Sequence, residues 1–209
     1  MKHLALLPVI LSLLVSAFPQ QKNDTPKSDP GQGDGVPLLY SEGGAFLIEG
    51  PKGWILDQDT GKQIGTCCVY YPHGSTWDNA ETVMYPSIVT KGPGQQTLGE
   101  FMKSDLAGFR KHDPAMSYED APDIALQHNR VAKVRVFDGV NRGSCEAVAY
   151  IDEEKIIALF VVSSKTRKGL EESMPLLRSA LQTYMYMDVK SGKGSKQGER
   201  SAQRIPKSE

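Results

Sequence analysis

A histidine, a serine and an aspartate occur within six residues of one another, as His73, Ser75 and Asp78. These are the residue types of a hydrolytic triad, in which histidine takes the serine proton and aspartate orients the histidine. Such a triad needs a nucleophile on a strained turn beside an oxyanion hole, and the G-x-S-x-G pattern that marks this turn is absent from the sequence. The segment has the composition of a surface turn following Pro72. A secreted hydrolase that uses Ser75 and His73 remains an alternative.

Three cysteines, Cys67, Cys68 and Cys145, are the candidates for thiol chemistry. Neighbouring side chains of a strand point to opposite faces, so only one of Cys67 and Cys68 can share a face with Cys145. A disulfide between those two residues would close a loop of about 79 residues, worth roughly 4.5 kcal/mol in the chain-entropy model. Two alternatives stay open: three free thiols, or a thiol- or redox-responsive protein. The sequence contains no CxxC spacing, and adjacent thiols make a poor tetrahedral clamp for zinc.

The other residues that could bind metals or phosphates lack the required spacings. His73, His112 and His128 have no second histidine four positions away, which a helical zinc motif needs. The acidic run 152–154 is a candidate hairpin tip with too few oxygen ligands for calcium. The sequence therefore predicts no metal site and no cofactor.

Aromatic residues cluster around the same turn. Tyr71, Trp77 and Tyr85 lie in a predicted strand, the following loop and the next strand, close to His73. Aromatic side chains that face solvent can form a recognition patch. The alternative is that they anchor the loop to the core. These four residues are the candidate binding residues.

Composition and charge exclude one class of partner. The chain has 209 residues, of which 39% are hydrophobic, with a formal net charge of -1. Nucleic-acid binding requires a clustered basic face, and this balance does not indicate one. The hydrophobic content is sufficient for the core of a single domain.

The first residues have the organisation of an export signal. Lys2 and His3 precede an apolar run from Leu4 to Val15, which is shorter than the roughly 20 residues needed to cross a bilayer. Small residues before Phe18 suit cleavage at that point. We predict a signal peptide over residues 1–17 and an exported protein, periplasmic or secreted, without a membrane span.

Two polar segments flank the predicted domain. Residues 18–37 and 188–209 have compositions that cannot bury enough apolar surface to fold, which indicates a disordered linker and a disordered basic tail. The tail contains six basic and three acidic residues, a local net charge of +3. It is either a solvated tail or a weak contact to anionic envelope polymers or lipid headgroups. Its basic residues are Lys190, Lys193, Lys196, Arg200, Arg204 and Lys207.

Strands dominate the predicted domain, residues 38–187. Alternation and β-branched content predict strands at about 45–49, 53–55, 66–71, 82–90, 132–136, 144–152 and 155–163. Pro86 cannot donate to a sheet, so its strand is expected at an edge or with a bulge. The run from Ile156 to Val162 is apolar on both faces and therefore predicts a central, covered strand.

Two helices are expected to cover this sheet. Thr97 and Glu100 have capping-box spacing before an apolar stripe, which predicts a helix from Leu98 to His112. A second stripe predicts a helix over 169–186, broken at Pro175 so that its main segment begins near Ser173. The predicted fold class is α+β, an α/β/α sandwich with a mostly antiparallel central sheet covered by helices.

This pattern resembles the PsbP/Mog1/DcrB-like fold family. The resemblance rests on Gly53-Trp54, the hairpin 144–163, the closing amphipathic helix, and the stretch from Tyr71 to Trp77 with Val83-Met84-Tyr85. It implies a single PsbP/Mog1-like domain over 38–187 and similarity to exported bacterial proteins. Because members of one fold bind unrelated partners, it implies a binding or accessory role only by analogy, and no family site residue carries over. We expect a non-catalytic module of the cell envelope whose partner is an envelope protein or a small ligand.

Overall fold

The computed structural model describes residues 36–92, 97–141 and 143–188. Within these ranges the chain forms ten strands and three α-helices. The predicted signal peptide, all but two residues of the predicted linker and all but one of the predicted tail lie outside the described residues.

The larger of two sheets has seven strands and is antiparallel throughout. Its spatial order is β3-β4-β5-β9-β8-β7-β6. The fold is therefore a mainly antiparallel α+β fold. These strands are β3 (Trp54–Asp57), β4 (Val69–Pro72), β5 (Thr82–Thr90), β6 (Ser117–Ala125), β7 (Val131–Val140), β8 (Ser144–Asp152) and β9 (Ile156–Ser164).

The doubly apolar run occupies the middle of this sheet, as predicted. Strand β9 is fourth of seven and pairs with β5 on one side and β8 on the other. From Ile156 to Val162 every side chain is buried except the half-buried Leu159. A central strand covered on both faces excludes water from both sides of its side chains, which explains the absence of alternation.

The strand containing Pro86 is not an edge strand. It pairs with β9 over its full length, but with β4 only at Met84 opposite Tyr70. The carbonyl of Pro86 points to the β4 side, where it accepts a hydrogen bond from the Thr66 hydroxyl. The proline nitrogen lies on that same side, where the β4 ladder has already ended, so no sheet hydrogen bond is lost.

The first predicted helix is confirmed with its cap. Helix α2 spans Leu98–His112, and Thr97 and Glu100 form the reciprocal capping box.

The prediction for the second helix is partly wrong, because helix α3 spans Arg167–Leu181 without a break at Pro175. Pro175 is exposed, so the carbonyl that loses its partner one turn earlier is free to be hydrated.

Each face of the large sheet carries its own apolar cluster. Helix α3 packs on one face against alternate residues of β8 and β9, including Ala147, Ala149 and Phe160. The stripe of α2 packs on the opposite face, around Phe137 and Tyr150.

A second, three-stranded sheet lies on the α3 side and joins the two ends of the described chain. Strand β2 (Gly44–Leu47) pairs with β1 (Leu38–Ser41) and with β10 (Met185–Met187). Its inner residues Leu39 and Phe46 belong to the core of the α3 side. Strands β1, β6 and β10 and the short helix α1 (Gln58–Gln63) were not predicted from the sequence.

Candidate functional site

The segment with His73, Ser75 and Asp78 is a turn that follows β4. The Ser75 hydroxyl donates to the Pro72 carbonyl over 2.6 Å, so it is directed at the backbone rather than at His73. His73 and Asp78 are exposed. The turn is closed further along by Thr76 N–H, which donates to the Asn79 amide oxygen at 2.7 Å.

The predicted aromatic residues support this loop from below. Tyr71 and Tyr85 are buried, with 5% and 7% exposure, so their rings offer no face to solvent. Trp77 is half-buried and meets the Tyr85 ring edge-on, with centroids 6.2 Å apart. The Tyr71 hydroxyl donates to Asp57 at 2.9 Å. Burial and this hydrogen bond raise the pKa of Tyr71 to about 12. Of the four candidate binding residues, only the exposed His73 and the half-buried Trp77 are therefore accessible to a partner.

The candidate disulfide to Cys145 is not formed, and all three cysteines are free, which was one alternative left open by the sequence. Strands β5 and β9 lie between β4 and β8, so three steps of about 4.8 Å separate them by roughly 14 Å, more than a disulfide spans. Cys67 and Cys68 also precede β4 instead of lying within it. Cys145 is buried on the α3 side, where burial and a hydrogen bond to Asp138 raise its pKa to about 11.

The sulfur atoms of Cys67 and Cys68 are 3.2 Å apart and share a hydrogen bond. This bond lowers the pKa of Cys67 against the opposing effect of burial. The same bond, together with burial, raises the pKa of Cys68. The pair therefore consists of a half-buried, more acidic thiol above a fully buried one.

The outer face of the three-stranded sheet is apolar and open to solvent. Leu38, Tyr40 and Met185 are 51%, 63% and 52% exposed. Register places Leu38 and Met185 on either side of Leu47, and Tyr40 opposite Ala45. We call this surface the outer face. Its exposed residues are Leu38, Tyr40 and Met185, while Leu47 and Met187 between them are half-buried and Ala45 is covered, with 3% exposure.

A buried carboxyl group that the sequence analysis missed lies beneath α2. Glu146 accepts hydrogen bonds from Asn141 at 2.9 Å and from Ser163 at 3.2 Å. Burial raises its pKa to about 7, partly opposed by those hydrogen bonds and reinforced by Asp105. The half-buried Asp105 is directed toward the sheet, where its carboxylate accepts from the Tyr150 hydroxyl at 2.5 Å. The available signal was the charged Glu146 inside the predicted strand 144–152, directly before the run from Ile156 to Val162 that was predicted to be covered on both faces.

The hairpin tip 152–154 is less solvated than its composition indicates. Glu153 is 8% exposed and accepts from Arg130 at 2.6 Å and from Tyr184 at 3.0 Å. This carboxylate therefore joins the tip to the segment preceding β7 and to the chain after α3.

Metal binding and membrane crossing find no support in the described part of the chain. Over 36–92, 97–141 and 143–188, no three His, Cys, Asp or Glu residues are grouped to hold a metal ion. His112 ends α2, and His128 lies in a short 3-10 turn with a φ of 57°. Among the helices of those same ranges, none combines the length and apolarity needed to cross a membrane.

Comparisons with known proteins return structural matches only. No family model matches the sequence, and no curated protein matches it. A solution structure of cyanobacterial PsbP (CyanoP) from Synechocystis sp. PCC 6803 matches at 17% identity and a TM-score of 0.42, covering 76% of this chain and 97% of that one. A point mutant of the protein Mog1 matches at 11% identity and a TM-score of 0.43, covering 74% of this chain and 97% of that one.

Both solved structures carry names of the PsbP/Mog1/DcrB-like family that the sequence resembles. The likeness concerns the fold alone and says nothing of ligand or activity.

Proposed function

We propose that this protein is an exported, non-catalytic accessory module of the cell envelope, an α/β/α sandwich that rests on an anionic lipid surface through its outer face. The observation that carries the proposal is the cluster of exposed apolar side chains on one side of the three-stranded sheet. Single exposed apolar residues are common on protein surfaces, but a contiguous group marks an interaction site. Leu38 and Tyr40 on β1 and Met185 on β10 form such a group, with Leu47 of β2 between Leu38 and Met185.

Charge favours a lipid surface over a neutral partner. The segment 188–209 follows β10 directly and has a net charge of +3. An apolar contact alone gives weak membrane attachment, whereas an apolar contact beside a polybasic segment supplies two additive signals. Each basic residue near an anionic surface contributes about 1 kcal/mol at low screening. Tyr40 suits the headgroup region, because its ring is apolar and its hydroxyl is polar.

Export is tested first, on protein recovered from outside the cytoplasm of the producing cell. The expected result is a mature chain that begins at Phe18, established by intact mass. A recovered chain that still begins at Met1, or protein confined to the cytoplasm, would remove the exported part of the proposal.

The lipid contact is tested on that mature protein by co-sedimentation with vesicles. We expect binding to phosphatidylglycerol-containing vesicles, weaker binding to pure phosphatidylcholine, and a decrease with added salt. The double variant Leu38→Ser, Met185→Ser removes roughly 1 kcal/mol of apolar contact per residue, so binding falls at least about tenfold. Val131→Ser is the matched control, since Val131 is a strand residue with 46% exposure in the large sheet.

Three results contradict this assignment. They are unchanged vesicle binding by the double variant, equal binding to zwitterionic and anionic vesicles, and an equal loss in the Val131 control. Circular dichroism of each variant confirms that the fold is retained.

The loop at His73 and Trp77 is kept as a second proposed contact. His73 is exposed and Trp77 is half-buried. The exposed His73 side chain makes no hydrogen bond to another described residue. His73→Ala is therefore expected to leave the unfolding midpoint unchanged. A decrease in vesicle binding by this variant would support the contact, and unchanged binding would exclude His73 from it.

A further inference from the structure

The two adjacent cysteines lie in a turn between α1 and β4. Cys67 and Cys68 are outside any strand, so their side chains are not forced to opposite faces. Their sulfur atoms approach to 3.2 Å. Among the described residues, this is the one hydrogen bond between two sulfur atoms.

The backbone holds this turn from two sides. Thr66 N–H donates to the Gly61 carbonyl at 2.9 Å, and the Thr66 hydroxyl donates to the Pro86 carbonyl. Gly61 packs directly on the second cysteine, since a Cβ atom at position 61 would lie 2.4 Å from the Cys68 Cα. The thiol pair is therefore attached to both α1 and β5.

The two thiols have different exposure and acidity. Cys67 is half-buried and Cys68 is fully buried. The hydrogen bond with Cys68 lowers the pKa of Cys67 and thereby increases its thiolate fraction. A reagent from solvent meets Cys67 first, with Cys68 directly behind it.

We propose that Cys67 and Cys68 form a thiol–disulfide exchange site, with Cys67 as the nucleophile toward small disulfides and Cys68 as the resolving thiol. In the first step the Cys67 thiolate attacks one sulfur of R–S–S–R, forming a mixed disulfide and releasing one RS⁻. In the second step Cys68 attacks the Cys67 sulfur while its proton passes to the departing sulfur, and the second RSH leaves and ionises in solution. Both electrons lost by the two cysteines reduce R–S–S–R to two thiols.

The product is a reversible rather than a structural bond. Consecutive Cα atoms are about 3.8 Å apart across a trans peptide, below the range of about 4.4–6.8 Å found in ordinary disulfides. A disulfide between neighbours is therefore strained, and strained disulfides are more readily reduced. Cys145 takes no part, because it is buried in β8 three strand positions away.

The test follows the reaction of the reduced, folded protein with an aromatic disulfide whose thiolate is coloured. The wild-type protein should release two thiolates per chain in the fast phase and retain no aryl group by mass. Cys68→Ser should release one thiolate and retain the aryl group, with Cys68→Ala as a second variant of the same buried position. Cys67→Ser should slow the fast phase at least about tenfold. Cys145→Ser should behave like the wild type.

The proposal is overturned by a wild-type protein that stops at the mixed disulfide. It is also overturned if Cys67→Ser reacts at the wild-type rate, or if Cys68→Ser and Cys68→Ala still release two thiolates. Circular dichroism before and after the reaction shows that each variant reacts while folded. Added dithiol reductant should restore two reactive thiols in the oxidised wild type.

Discussion

Replacing Glu146 by glutamine is expected to flatten the dependence of stability on pH. The folded pKa of Glu146 is about 7 against an ordinary value of 4.5. Below pH 4.5 the carboxyl group is protonated in both states, so stability is fully present. Between these two pKa values the Glu146 carboxyl is ionised in the unfolded chain but protonated in the folded protein. The free energy of unfolding therefore falls by about 1.36 kcal/mol per pH unit. Above the folded pKa the loss is complete.

Between pH 5 and pH 8 this difference amounts to about 2.5 kcal/mol, worked from the two pKa values. The groups near Glu146 include Asn141, Ser163, Asp105 and Asp113, together with the hydroxyls of Tyr85 and Tyr150. Asp105 acts in the same direction, because burial raises its pKa as well. Glutamine keeps an oxygen that can accept from Asn141 and Ser163, and it cannot ionise.

Urea unfolding of wild type and Glu146→Gln at pH 5 and pH 8 measures this difference. Between pH 5 and pH 8, the free energy of unfolding of the wild type should fall by about 2.5 kcal/mol more than that of the variant. Glu172→Gln is the control, since Glu172 is exposed on α3 and pairs only with Lys168 at 3.7 Å. If the free energy of unfolding changed equally with pH in wild type and Glu146→Gln, Glu146 would already be ionised in the folded protein at pH 5. The reasoning would then be refuted.

Four further predictions concern stability, and each is measured as a free energy of unfolding in urea. Trp77→Ala removes the ring that meets Tyr85 and should cost about 2 kcal/mol; an unchanged midpoint would mean that Trp77 is held for a partner alone. Glu153→Ala leaves the groups that donate to this carboxylate unpaired and should cost about 2–3 kcal/mol. Gly61→Ala should destabilise by about 2 kcal/mol, because its Cβ atom would meet the backbone of the second cysteine. Gly99→Ala, a helical glycine with open space around it, should stabilise instead.

Long, strongly patterned elements were predictable from the sequence. The bounds of β5, β8 and α2 agree with the expectation, because a hairpin limits β8, and a capping box starts α2, which stops before Asp113-Pro114. Strand β6 was missed because seven of its nine residues are exposed, so no apolar pattern distinguishes it from a loop. The error at Pro175 has a similar origin: whether a proline breaks a helix depends on hydration of a carbonyl, which the sequence does not encode locally.

The candidate sites were less predictable, because they depend on contacts distant in sequence or on a local turn. Treating Cys67 and Cys68 as strand residues placed their side chains on opposite faces, whereas the turn brings their sulfur atoms together. The pairing of Leu38 and Met185 across β2 joins residues far apart in the chain. Neither arrangement leaves a periodic signal in the sequence.

The position of β2 between the first and last strands also constrains the order in which the molecule can assemble. Strand β1 can form a hairpin with β2 as soon as residues 38–47 exist, but β2 gains its other neighbour only from residues 185–187. During synthesis or threading through a channel, one edge of β2 therefore stays unpaired until nearly the whole domain has emerged. Unpaired strand edges invite association with other chains, so the interval before β10 docks is when this protein most needs a chaperone.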